Sequence, residues 1–438
     1  MALLASNEDV VRLMLRYLGQ ADLRSVCLVH PGLRALAEPR LYSEIDIFFY
    51  RSAPYPIVSL LRSILRRPEL AAHIRLLSCY GGDKLNRGRG EKVPKMPMPE
   101  VDLRQAVSLV EETCLPFRDE WVKELRLGTL DAYLALVLSR LPRLELLHLS
   151  NTFFLESSLI GLVFQSILCG PRSDWLTVDI SSSLSELRRV GLSSLGVQSA
   201  RNLESVLPFF YLPSVEVLNI LIDGSLVHPL PWPTTPPPSA LNLTSLYIAG
   251  GKIREAYLGQ ILAAVPRLRS LEWQWRCEIN LEGQFNSPLV NLDQLMPALA
   301  QVKETLTELK ITGYNFCETP ARLQGSARAL AGFDRLNKLY IPLLFLTGFE
   351  LPLQPGFGNC LPRNLEDLTL TGNLSFSEEC NDACVAEIAT WLADVGTSTP
   401  RLRKLCLLFK GCQLDEVLEL ARRAGLEVAT ESPCPDVY

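Results

Sequence analysis

The chain has 438 residues, of which 48% are hydrophobic and 21% are charged, and its formal net charge is −5. This composition is typical of a folded, soluble protein and excludes a largely disordered scaffold. Because phosphate binding requires a surplus of basic residues on one surface, it also argues against a general nucleic-acid binder.

Targeting signals and membrane spans are not expected. Glu8 and Asp9 lie near the start of the chain and no basic segment followed by an apolar run occurs there, so we expect no secretory signal and a cytoplasmic or nuclear location. The longest stretch without a formal charge, Gly224 to Gly251, contains six prolines and cannot form a membrane helix.

Short helices are predicted at the N-terminus. Ser6 is expected to cap a helix over residues 7–18, and Asp22 is expected to cap a second, shorter helix. A third helical turn over residues 33–37 is expected to end at Pro39. Three short helices have more apolar surface than so small a unit can bury, which predicts a partner or a neighbouring domain.

These residues resemble an F-box of the form common in fungal proteins. The matching segments are residues 22–29 (Asp-Leu-Arg-Ser-Val-Cys-Leu-Val), 33–37 (Leu-Arg-Ala-Leu-Ala) and 39–42 (Pro-Arg-Leu-Tyr). The resemblance implies that a module at residues 1–47 docks on a Skp-type adaptor, which links it to the cullin scaffold of a ubiquitin ligase. The adaptor surface, or its support, would be formed by Val10, Leu13, Leu18, Leu23, Val26 and Leu28.

Residues 48–120 are predicted to form a linker and a first irregular repeat. They contain a basic, glycine-rich loop at residues 81–99, but no Gly-Lys-Ser/Thr motif follows it, so a phosphate-binding loop is not indicated. A solvated loop is expected there.

Local motifs for catalysis or metal binding are absent from the sequence. The four histidines are isolated from one another and form no HExxH motif, and no Gly-x-Ser-x-Gly elbow occurs. Cys380 and Cys384 could share one helix face, but a lone pair lacks further metal ligands, and we interpret the twelve cysteines as reduced and mostly buried. We therefore expect no enzyme activity, no metal and no cofactor.

A short phrase recurs from Trp121 onward, in which apolar residues occupy the first, fourth and sixth positions. The phrases begin at Val122, Leu144, Leu187, Val215, Leu243, Leu268, Leu306, Leu336, Leu365 and Leu402. Most of them begin 22 to 30 residues apart, the length of one strand and one helix. Helices are predicted between them at residues 132–138, 253–265 and 384–395, where apolar residues recur at helical spacing.

This alternation of strand and helix resembles the leucine-rich-repeat family over roughly residues 121–411. The resemblance implies an α/β fold, an irregular solenoid with a parallel sheet on its concave face and helices on its convex face. We assign the solenoid to residues 121–412 and a C-terminal cap and tail to residues 413–438.

The residue between the two core positions of each predicted strand is expected to lie on the outer face, because alternate side chains of a strand point to opposite faces. The predicted substrate-binding residues are Arg126, His148, Asn219, Tyr247, Glu272, Lys310, Tyr340 and Thr369. Cys406 is predicted to occupy the outward position of the last strand. Tyr247 and Tyr340 are candidate hot spots, although any single one of these residues is more often an ordinary surface residue.

Residues 229–238 are rich in proline and are predicted to replace the helix of their repeat with an extended loop. A stiff insertion is favoured over a ligand for an aromatic groove on a partner.

Together these features predict a non-catalytic substrate receptor that binds a protein substrate and neither nucleic acid nor membrane. The alternative is an interaction scaffold whose F-box-like helices only cap the solenoid. The Leu-Pro pair that usually opens an F-box is replaced here by Ala5-Ser6-Asn7, which favours the alternative.

Overall fold

The structure is a computed structural model. It describes residues 8–49, 55–81, 95–113, 115–150, 159–170, 184–192, 206–221, 229–249, 255–277, 289–315, 321–349, 352–372, 374, 378–409 and 413–430. The chain divides into two compact units, residues 1–196 with 204–215 and residues 197–203 with 216–438, and each unit is described by itself.

Helices and parallel strands alternate in the first unit. Its elements are α1 (Glu8–Leu15), α2 (Gln20–Val29), α3 (Pro31–Leu41), β1 (Glu44–Phe49), α4 (Pro56–Arg66), β2 (Leu76–Gly81), α5 (Glu100–Glu111), α6 (Arg118–Leu127), α7 (Leu130–Leu138), β3 (Leu146–Leu149), α8 (Leu159–Cys169) and β4 (Arg189–Leu192). The strands pair in the order β1-β2-β3-β4, and every pair is parallel.

The three N-terminal helices share a small core made of Val11, Leu15, Leu23 and Ala37. These residues lie on α1, α2 and α3 at helical spacing, so one stripe of each helix faces the other two. The F-box-like segment is thus a three-helix module with its own core, as predicted.

Two predicted details of this module were wrong, and Ser6 lies outside the described residues. Asp22 lies within the first turn of α2, whose N-cap is Gly19, so its carboxylate meets the positive helix end without capping it. Pro39 lies inside α3 instead of ending it: the N–H of Tyr42 still reaches the carbonyl of Glu38 at 3.0 Å, so the helix continues past the proline.

Polar contacts join the helical module to the first repeat. Arg67, which follows α4, donates two hydrogen bonds to the Glu38 carboxylate, at 2.6 and 2.7 Å. The side-chain amide of Gln20 donates to the carbonyl of Glu44 at 3.1 Å, at the start of β1. The predicted boundary at residue 47 therefore falls inside a strand that belongs to the sheet.

The second unit continues the same alternation. Its elements are β5 (Val217–Leu221), β6 (Ser245–Ala249), α9 (Glu255–Ala263), β7 (Ser270–Cys277), β8 (Leu289–Asn291), α10 (Leu292–Ala300), β9 (Glu308–Asn315), β10 (Arg322–Gln324), β11 (Lys338–Pro342), α11 (Leu344–Thr347), β12 (Asp367–Thr371), α12 (Glu378–Leu392), α13 (Val395–Ser398), β13 (Lys404–Leu408), α14 (Asp415–Arg423) and β14 (Glu427–Ala429). The parallel order is β5-β6-β7-β9-β11-β12-β13-β14, and β8 pairs separately with β10.

The leucines of the recurring phrase form the core of this unit. Leu309, Leu339, Leu368 and Leu405 occupy one register row, and each is at most 2% exposed. Apolar residues at alternate positions of a parallel strand bury one face of the sheet against the connecting segments. The predicted fold class, parallel strands with helices between them, is confirmed in both units.

Nine of the ten predicted phrases form strands, namely those that contain β3, β4, β5, β6, β7, β9, β11, β12 and β13. The phrase beginning at Val122 does not, because it lies in helix α6. In the first unit the sheet begins at Glu44, before the predicted start of the solenoid at residue 121. In the second unit β14, which lies beyond residue 412, pairs with β13. The proline-rich residues 229–238 contain neither helix nor strand, as predicted.

Candidate functional site

The outward face of the second unit carries the predicted row of side chains. The register pairs Asn219 with Tyr247, then Glu272, Lys310, Tyr340, Thr369 and Cys406 in succession. One residue is contributed by each of the seven strands β5, β6, β7, β9, β11, β12 and β13. Because alternate residues of a strand lie on the same face, the seven predicted outward residues form one continuous row across these strands.

Lys310 is the centre of this row. Its ammonium group lies 2.9 Å from the Glu272 carboxylate and 5.3 Å from the ring centroid of Tyr340. The cation is thus held between an anion and an aromatic ring on neighbouring strands. Farther along, the Cys406 side chain is buried, so only part of the row is available to a partner.

A second row, made of charged side chains, lies two residues closer to the start of each strand. Glu308, Lys338, Asp367, Lys404 and Glu427 follow one another across β9, β11, β12, β13 and β14. Lys338 contacts Glu308 at 2.6 Å and Lys404 contacts Glu427 at 3.4 Å. The row contains three acids and two lysines, and Asp367 lies between the lysines. Burial raises the pKa of Asp367.

The outward face of the first unit is aromatic. The rings of Phe48 and Tyr80 stack with centroids 5.1 Å apart, and Tyr80 lies 5.2 Å from the ring of the predicted residue His148. A Cβ atom on Gly191, opposite His148 on β4, would lie 2.7 Å from His148 Nδ1, so the imidazole uses the space that glycine leaves. Burial lowers the pKa of His148 and favours its neutral form.

Arg126 was wrongly placed by the sequence prediction. It is exposed on helix α6 and lines an open cleft of about 430 Å³ with Glu111, Asp119 and Lys123. Because α6 is not a strand, Arg126 has no place in the outward row of the sheet.

The six predicted adaptor residues separate into exposed and supporting side chains. Val10, Leu13 and Leu28 are exposed, Leu28 to 88%. Leu18 and Val26 are half-buried against the core of the module, and Leu23 is only 2% exposed. The last three therefore support the surface from beneath.

Sequence reasoning missed further exposed apolar residues in the same helices. Met14, Tyr17 and Val29 are also exposed, Tyr17 to 84%, although their helical spacing had placed the first two on an apolar stripe. The sequence signal for this exposure is the width of the apolar stripe on the helices. It is wider than three short helices can bury against one another.

The remaining candidates carry no reactive site in the described residues. Cys380 and Cys384 are both buried on α12, and no group of three or more His, Cys, Asp or Glu that could hold a metal occurs in the part of the chain that the structure describes. Residues 82–94 of the glycine-rich loop lie outside that part. In the proline-rich loop, the buried Leu230 donates its N–H to Gln260 at 2.8 Å, which attaches the loop to α9.

Comparison with known proteins finds a likeness to solved structures only. No protein-family model matches the chain, and no curated protein matches it. A solved structure of the leucine-rich repeat-containing protein LegL7 from Legionella pneumophila is 14% identical, with 89% of this chain and 94% of that chain covered and a TM-score of 0.32. At this sequence identity and TM-score, the likeness carries no weight for the fold. The fold assignment rests on the register of the parallel strands.

Among the helices that the structure describes, none is long and apolar enough to span a bilayer.

Proposed function

We propose that the protein is a substrate receptor of a cullin-based ubiquitin ligase. Helices α1–α3 would dock on a Skp-type adaptor, and the outward face of the parallel strands would hold a protein substrate. Such a receptor needs no catalytic groups of its own, because holding the substrate near a ubiquitin-charged enzyme raises its effective concentration.

The exposed apolar surface of α1, of the turn after it and of α2 carries this proposal. Val10, Leu13, Met14, Tyr17, Leu28 and Val29 are all exposed on a module whose core is formed by other residues. Isolated apolar residues on a surface are ordinary, but several on one small module are typical of a protein-binding surface.

The outward sheet faces support the second half of the proposal. They combine aromatic rings with paired charges, a composition closer to that of protein interfaces than to that of a nucleic-acid groove. Parallel strands also hold these side chains on a rigid frame, which limits the entropy lost on binding.

The experiment compares three full-length proteins for binding to a purified Skp-type adaptor. In one, Leu13→Glu and Leu28→Glu place two charges on the exposed surface; in the matched control, Val101→Glu places a charge at an equally exposed apolar position on α5. We expect the double variant to bind at least about tenfold more weakly, the control to bind like the wild type, and all three to melt at similar temperatures.

Absence of adaptor binding by the wild-type chain would refute the ligase role. Equal binding by the double variant would refute the assigned surface. In the first case the competing function, a scaffold in which the helices only cap the sheet, would be favoured by the contacts of Glu38 and Gln20 with the first repeat. That function predicts that deletion of residues 1–43 makes the remainder insoluble.

A further inference from the structure

The first unit presents a compact group of aromatic side chains at the start of its sheet. Phe48, Tyr80 and His148 lie on the outward face of β1, β2 and β3, with ring centroids 5.1 and 5.2 Å apart. Phe48 is 48% exposed and Tyr80 is 37% exposed. Exposed rings that are already held in place by their neighbours lose little freedom when a ligand packs on them.

A carboxylate accompanies these rings. Asp46 lies two residues before Phe48 on β1, so its side chain points to the same face, and the register places it in one row with Ser78 and His148. Ser78, between them, is only 8% exposed because its small side chain is covered by larger neighbours. The face therefore offers an exposed acid beside exposed rings.

Basic side chains near this face are already paired with other acids or lie far from Asp46. Arg40 contacts Glu44 at 2.9 Å, and Arg75 forms an ion pair with Glu145. Arg189 lies on β4, three strands from β1, which corresponds to about 14 Å at the usual strand spacing. Within the described residues, Asp46 has no ion pair.

From this arrangement we propose that Asp46, Phe48, Tyr80 and His148 bind an arginine side chain presented by a partner protein. A guanidinium group is planar, stacks on aromatic rings and donates two parallel hydrogen bonds to a carboxylate, so it matches an acid beside a ring better than a lysine does. The neutral form of His148 adds no opposing charge. The inference rests on the proposed function only in taking a protein as the ligand of this face.

The test uses the full-length protein with isotope-labelled histidine. The ring signal of His148, assigned with a His148→Gln variant, is followed by NMR while acetyl-arginine amide is added at constant ionic strength. The same titration with acetyl-citrulline amide supplies a ligand of the same shape without the charge. We expect a saturable shift with arginine, at roughly millimolar affinity, and binding at least about fivefold weaker with citrulline.

Two variants and a control locate the binding. Asp46→Asn and Phe48→Leu are each expected to weaken arginine binding by about threefold, since each removes one exposed contact. Asp119→Asn removes an equally accessible acid from α6 of the same unit and is expected to change nothing. Thermal unfolding of each variant checks that the fold is retained.

Equal shifts with arginine and citrulline, or an unchanged dissociation constant in Asp46→Asn, would overturn the inference. Because the readout does not involve the adaptor, its failure is distinct from failure of the proposed function. A chain that binds the adaptor but not arginine refutes only the arginine site, and the reverse result refutes only the ligase role.

Discussion

The ion pair between Glu38 and Arg67 is expected to fix the helical module to the first repeat. Two charge-assisted hydrogen bonds of 2.6 and 2.7 Å join residues that are 29 positions apart in sequence. The Glu38 side chain is 14% exposed and that of Arg67 is 37% exposed, so solvent screens the pair only in part. Because Arg67 retains contact with water, we place the coupling free energy at about 2 kcal/mol, near the middle of the range for hydrogen bonds between charged groups.

A double-mutant cycle measures the coupling free energy between Glu38 and Arg67. Glu38→Gln keeps the size of the side chain and Arg67→Met keeps its stem. The cycle cancels the separate contacts of Arg67 with the exposed Glu69 and of Glu38 with Arg34. For a unit of this size, a coupling of about 2 kcal/mol corresponds to a difference of about 4–8 °C in Tm. Urea unfolding of all four proteins at pH 7 gives the coupling.

The pH dependence has a definite sign. Hydrogen bonds from Arg67 lower the pKa of Glu38 in the folded state. The contribution is therefore complete above the unfolded glutamate pKa, about 4.3, and is lost as the pH falls through the lower folded value. The difference between the wild type and Glu38→Gln should be the same at pH 6 and pH 7 and should shrink below about pH 4.

The control is the exposed pair Glu8–Arg12 on α1, 2.6 Å apart, for which a cycle should give no more than about 0.5 kcal/mol. If the Glu38–Arg67 cycle gives a coupling as small as this control, the ion pair does not fix the module to the repeat and the reasoning fails.

Two further predictions concern the core of the second unit. Leu368→Ala should destabilise by about 2–5 kcal/mol and Thr369→Ala by less than about 1 kcal/mol, because only the leucine faces the core; urea unfolding that gave equal losses would contradict the assigned faces. Gly372→Ala would place a Cβ atom 2.4 Å from the buried Phe409 ring and should cost about 1–3 kcal/mol, whereas Gly396→Ala, with open space around it, should leave Tm unchanged or higher.

The period-two pattern was sufficient to predict the outward row of the second unit. Each phrase fixed which residue lies between two core positions, and consecutive strands of a repeat stack in sequence order. The contact of Lys310 with both Glu272 and Tyr340 follows once β7 and β9 are adjacent. That adjacency was not predictable from spacing, because β8 intervenes in the chain and pairs elsewhere.

The failure at Val122 has a physical cause. Trp121, Val122 and Leu125 are buried on one face of α6, and a spacing of three or four residues satisfies a helix as well as the phrase. Acidic residues at the start of this segment and Gly128 after it are helix start and stop signals. Gly128 has φ +71° and leaves no room for a Cβ atom beside the backbone of Met96, so the helix ends there.

The aromatic group could not be predicted because the sequence divided it between modules. Phe48 and Tyr80 fell at distant positions in the segment predicted as a linker and first irregular repeat, residues 48–120, whereas His148 was in the repeats. The phrase in β2 has Ile74, Leu77 and Cys79 at its core positions. Because the last of these is a cysteine, the phrase was not recognised in the sequence. Only the pairing of β1 with β2 and of β2 with β3 brings the three rings together.

The first unit carries both an exposed apolar surface and an outward-facing aromatic group. The exposed apolar residues lie on α1 and α2, the aromatic group lies on β1 to β3, and Arg67 links α3 to the segment between α4 and β2. If α1–α3 bind an adaptor as proposed, this link would keep a ligand on the aromatic group at a constant distance from the adaptor. Ubiquitin transfer by proximity depends on such a distance, so weakening the Glu38–Arg67 pair should lower ligase output while leaving adaptor affinity unchanged.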